Sequence, residues 1–118
     1  MSAESDPVAS SLENLVTVVQ QVDALAREVT QRAERFRAQR ERGQPYRDIL
    51  AEEDHPFPGE LVGQMTDALI DARGKFQRAQ AKALYDEGAT MDQIADLFGI
   101  SRQRVSYLLA RARNAADD

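Results

Sequence analysis

The stretch Met91–Leu109, MDQIADLFGISRQRVSYLL, constrains the fold more than any other part of the chain. Ile94, Ala95 and Phe98 recur at helical spacing as far as Gly99, and Ile100, Val105 and Leu108 give a second apolar side directly after it. A glycine at 99 can take the left-handed conformation that ends one helix and re-aims the chain. Ala95 is small enough to let two helices cross closely, and Ser101 is a good N-cap for the second of them. The spacing therefore predicts two short helices joined by a tight turn. Just upstream, Lys75–Glu87 reads as a third helix that supplies Phe76, Ala79, Ala83 and Leu84 to a small shared core, with Gly88 closing it. Thr90, followed three residues later by Gln93, has the form of a capping box at the start of the first short helix.

Laying Ser101–Asn114 on a 3.6-residue helix places Val105, Leu108, Leu109 and Ala112 on one face, which points into the protein. The opposite face is then fixed. It carries Gln103, Ser106, Tyr107 and Ala110, with Arg102 and Arg113 along one edge and Arg104 and Arg111 along the other. The run IADLFGISRQRVSYLL resembles the recognition segments of resolvase and invertase recombinases, of the fourth region of sigma factors and of small bacterial transcriptional repressors. The resemblance covers the C-terminal third of the chain. It implies a helix-turn-helix domain whose last helix enters the major groove of double-stranded DNA. On that reading Ser101, Arg102, Gln103, Arg104, Ser106, Tyr107, Arg111 and Arg113 form the DNA-binding surface. Gln reads adenine, Arg pairs with guanine or phosphate, and Tyr meets phosphate or a thymine methyl. Thr90 and Gln93 are placed to bond the phosphate backbone.

The whole-chain charge of −5 opposes such a role until it is divided along the sequence. Residues 1–72 hold seven Arg against fourteen acids, a balance of −7, whereas residues 73–113 hold eight Lys and Arg against four acids, a balance of +4. Screening limits electrostatic reach to about 8 Å at physiological salt, so the local balance governs attraction to phosphate.

The first two thirds read as helix and linker. Residues 1–11 are polar, carry Pro7 and are expected to form a flexible tail. From Leu12, the positions Leu15, Val18, Val22, Leu25, Val29 and Phe36 alternate at spacings of three and four, interrupted where Arg32 occupies the seam. Val19, Ala26 and Ala33 widen the stripe. It therefore reads equally as a coiled-coil seam and as an amphipathic helix packed on its own chain. Gly43 stops this helix, Pro45 opens a short one holding Tyr46, Ile49 and Leu50, and EEDHPFPG is the clearest linker. From Pro58, Leu61, Val62, Met65, Leu69, Ala72 and Phe76 recur three or four apart and cross Gly74 in phase. One long helix, or two meeting at Gly74, fits that pattern.

The fold class expected is all-α, with long N-terminal helices forming a dimerisation region ahead of a C-terminal trihelical helix-turn-helix. The expected divisions are 1–11 as tail, 12–74 as dimerisation region with a linker near 52–58, 75–113 as DNA-binding domain and 114–118 as acidic tail. Leu15, Val18, Val22, Leu25, Val29, Phe36, Val62, Met65 and Leu69 are the expected dimer contacts, because the two stripes offer more apolar helix surface than a small monomer easily hides.

Absences narrow the function classes. With no Cys there is no disulfide, thiolate metal site or cysteine nucleophile, and the single His55 lies in a loop without a second imidazole. No Gly-rich phosphate loop and no nucleophile–base pair is readable, so no enzyme, cofactor or metal is expected. No stretch approaches a membrane span, and a cytoplasmic, nucleoid-associated protein is expected. The leading expectation is a sequence-specific transcriptional regulator that binds double-stranded DNA as a homodimer on paired half-sites. The alternative is an adaptor whose acidic N-terminal half binds polymerase, a sigma factor or a DNA-bound assembly.

Overall fold

A computed structural model describes residues 6–117. Five helices and no strand occur among the described residues: α1 (Pro7–Glu41), α2 (Tyr46–Glu52), α3 (Pro58–Asp86), α4 (Met91–Phe98) and α5 (Arg102–Asp117). The all-α expectation holds. The chain divides into two compact units, one holding the residues up to Val16 together with those from Asp71 onward, the other running Thr17–Ile70.

α1 begins at Pro7, five residues earlier than the apolar pattern indicates, so residues 7–11 of the expected tail are helix. The cause is local. Asp6 Oδ1 accepts from the backbone N–H of Val8 (2.9 Å) and Ala9 (3.3 Å), and proline suits the first helical position because its missing N–H would lack a partner there anyway. Residues 1–5 lie outside the described residues. Val8 is half-buried and, with Asp6, lines a shallow pocket beside Ala83, Leu84 and Phe98, so the start of α1 packs in the same unit as the C-terminal helices. At the other end, α5 continues to Asp117 instead of giving way to a tail at 114, as helix-favouring Ala115 and Ala116 extend it. Asp118 lies outside the described residues.

Within Thr17–Ile70, α1 carries no glycine or proline until Gly43, which takes φ +82° and lets Gln44 N–H donate back to Gln39 O. Ile49 on α2 and Leu61 on α3 are the buried apolar side chains of residues 17–70. The seam interruption at Arg32 has a purpose that the sequence does not display. Arg32 is 8% exposed, and its guanidinium donates to the carbonyls of Asp54 (2.9 Å) and Pro56 and to Glu28 Oε1 (2.8 Å). A buried cation without partners would be costly, and here three acceptors satisfy it. The expected linker near 52–58 is thus a short loop tied down by α1. His55 in that loop stacks on Phe57 at 4.1 Å between ring centroids.

α3 runs unbroken for 29 residues through Gly74, which decides for one helix over two. Its contribution to the C-terminal core differs from the expectation. Ala81 is fully buried, whereas Phe76, Ala79 and Ala83 are only half-buried. Ala81 lies about half a turn round the helix from buried Ala72, so the inward side changes along α3. Apolar periodicity cannot show such a change where every candidate position is apolar.

Candidate nucleic-acid interface

Ala81, Ile94, Ala95, Val105 and Leu108 form the buried cluster at the centre of the C-terminal unit, with Leu84, Ala89, Met91, Phe98, Ile100 and Leu109 packed around it. Two turns fix the geometry of the helices on this core. α4 starts at Thr90, whose Oγ1 accepts from Gln93 N–H (3.1 Å) while Gln93 Oε1 accepts from Thr90 N–H (2.8 Å), a complete capping box. α4 ends at Gly99 with φ +67° and ψ +36°, and Ile100 N–H donates to Ala95 O at 3.1 Å. A side chain in that backbone region would strain the turn. Ser101 Oγ then accepts from Arg104 N–H at 3.0 Å and starts α5.

With both ends of the turn capped, the rotation of α5 follows from burial. Val105, Leu108 and Ala112 are buried and Leu109 half-buried, so the inward face is the expected one. Ser101, Arg102, Gln103, Arg104, Ser106, Tyr107, Ala110, Arg111 and Arg113 are all exposed. Between Arg102 and Asn114 the helix carries four arginines and no acid. Thr90 and Gln93 are exposed as well, and their capping duty leaves the Thr90 hydroxyl proton and the Gln93 Nε2 protons able to donate.

The arginines are not all loose. Arg104 and Arg111 both lie over the Tyr107 ring, 5.1 and 5.9 Å from its centroid, so two guanidinium groups share one ring. Arg102 Nε lies 3.9 Å from Asp92 Oδ1 on α4, a long and exposed pair worth little by itself. The sequence reading overlooked Asp92. Its place in the first turn of α4, one residue from the capping glutamine, was the available signal.

Residues 75–117 match the family model of a homeodomain-like domain. The matched stretch covers the end of α3 and all of α4 and α5, the same three helices that share the buried cluster. No curated protein and no solved structure matches the chain. The C-terminal third is a helix-turn-helix domain, of a type that suggests a DNA-binding protein. The expected dimer contacts divide by exposure: Leu15, Val18, Val22, Leu25, Val29 and Met65 are half-buried within the single chain, whereas Phe36, Val62 and Leu69 are exposed. No group of His, Cys, Asp and Glu among the described residues could hold a metal ion, and no helix among them is long and apolar enough to cross a membrane.

Proposed function

We propose that the chain is a sequence-specific regulator of transcription that reads double-stranded DNA with α5 and acts as a homodimer on paired half-sites. The observation that carries this reading is the polar, acid-free outer face of α5, held outward by a buried inner face and by caps at both sides of the turn. An α-helix of this kind fits the major groove, and the first turn of such a helix meets base edges. Arg102 and Gln103 fall in that turn. Arg104, Arg111 and Arg113 flank it at positions suited to phosphate. Thr90 and Gln93 add donors at the start of α4. Two copies reading half-sites about one helical turn apart multiply the few base contacts one helix can make. Regulation without catalysis is part of the same proposal, since the residue types on this face bind and position and include no nucleophile paired with a base.

Selection of bound fragments from a random-sequence DNA pool, followed by gel shift on the winners, tests the reading. The wild-type chain should enrich a motif, and its affinity should fall steeply with salt as phosphate contacts release counterions. Arg102→Ala with Gln103→Ala should lose the preference for that motif over scrambled DNA. Binding that is unchanged by the double substitution would sink the proposed readout, and an absence of any enrichment would sink the function itself.

A further inference from the structure

Residues 17–70 turn two apolar features toward water. The first is an open groove of about 930 Å³ bounded by α1, α2 and the loop after α2, where Val29, Phe36, Tyr46, Leu50 and Phe57 provide apolar walls. The second is a ridge on α3. Gly59, Val62, Gly63, Thr66, Leu69 and Ile70 are all exposed, and at 3.6 residues per turn they fall on one stripe of the helix. No charge interrupts that stripe. Thr66 turns no unsatisfied donor outward, because its hydroxyl donates to Val62 O at 3.0 Å. Gly59 lines the groove and also begins the ridge, so the two features form one continuous surface. A methyl group placed on Gly63 would meet nothing within 4 Å, so the packing of the chain itself does not require this glycine and the backbone stays open to approach from outside.

Area indicates what covers the surface. Phe36, Tyr46, Val62, Leu69 and Ile70 are 38%, 53%, 46%, 38% and 63% exposed. At about 150–250 Å² for an aromatic side chain and rather less for an aliphatic one, they keep roughly 400 Å² of largely apolar surface in water. A stable two-protein interface takes about 800 Å² from each partner, somewhat over half of it apolar, which is about the same quantity. The ridge is convex and the groove concave, and on one chain they lie side by side, so each can be filled only by a neighbour. A second copy supplies both at once, with every contact made twice about a two-fold axis.

We infer that this surface is the homodimer interface, with the Val62–Ile70 ridge of each copy seated in the Phe36–Tyr46 groove of the other. The inference rests on the homodimer part of the reading above and assigns its surface. It places the interface on α3, α2 and the C-terminal half of α1 instead of on the whole α1 seam.

The chain contains no cysteine, so full-length Ile70→Cys and Tyr46→Cys proteins carry one thiol each. An equimolar mixture oxidised with diamide should give the mixed 46–70 disulfide in several-fold excess over either like-with-like product. Ile70→Asp, at a position exposed enough to leave folding intact by circular dichroism, should weaken self-association at least tenfold in sedimentation. A dominant 70–70 product would overturn the inference by pairing ridge with ridge. A wild-type chain that sediments as a monomer at high micromolar concentration would overturn it too and leave the surface to a different protein. Because no DNA is present, the outcome is separable from the regulator reading: a chain that forms the mixed cross-link yet enriches no DNA motif sinks that reading alone.

Discussion

Among the described residues, seven of the nine buried apolar side chains lie in the unit that contains the helix-turn-helix, and only Ile49 and Leu61 lie in residues 17–70. The two units are therefore held together by different means. In the first, Ile94, Val105 and Leu108 are shut away from water and two turns have every cap in place. In the second, a single arginine gathers a loop by its carbonyls while large apolar side chains remain outside. A closed core makes a head that can present a rigid face to a ligand. An open apolar surface beside a polar clamp suits the dimer proposed for it.

The largest test of that contrast is Ile94→Ala. Removing most of a fully buried side chain from the head should cost about 2–5 kcal/mol, read as a lower urea midpoint with an unchanged slope. A loss below about 1 kcal/mol would mean that the core is slack and the contrast false. Next comes Arg32→Ala, which strips the Asp54 and Pro56 carbonyls of their donor and should cost about 2–3 kcal/mol. Hydrogen exchange should place the new mobility in residues 53–57, with the amides of α4 and α5 unaffected; speeding of both would show the two units to be one cooperative block. Smaller again is Gly99→Ala, which forces a side chain into left-handed backbone at about 1–2 kcal/mol and should lower the thermal midpoint of the head. Smallest is Lys75→Ala. It removes an exposed 3.0 Å pair with Asp71 and should change stability by no more than about 0.5 kcal/mol, the baseline against which the others are judged.

The head was legible because its determinants are local. Gly99, Ser101 and the Thr90–Gln93 pair specify their turns within four residues, and the inward face of α5 follows from Val105, Leu108 and Ala112 alone. The proposed DNA-contacting residues emerge exposed for the same reason, as the complement of that face. What the sequence concealed depends on partners distant along the chain. Arg32 reads as a fault in an apolar stripe, since the two carbonyls it holds lie 22 and 24 residues away. Ala81 falls outside the stripe Ala72, Phe76, Ala79 and Ala83, because the apolar pattern continues in phase along α3 while the buried side of the helix turns by about half a turn. The early start of α1 is a local signal outside the apolar periodicity: Asp6 before Pro7 is a cap followed by a first-turn proline.

The contact of Tyr107 with both Arg104 and Arg111 has an optical consequence. The chain has no tryptophan and three tyrosines, at positions 46, 85 and 107, so its near-ultraviolet emission comes from phenol rings alone. One of these rings has two guanidinium groups within 6 Å of its centroid, at 5.1 and 5.9 Å. If phosphates draw the arginines away, Tyr107 should change brightness while Tyr46 and Tyr85 do not, which gives the unlabelled protein its own titration signal.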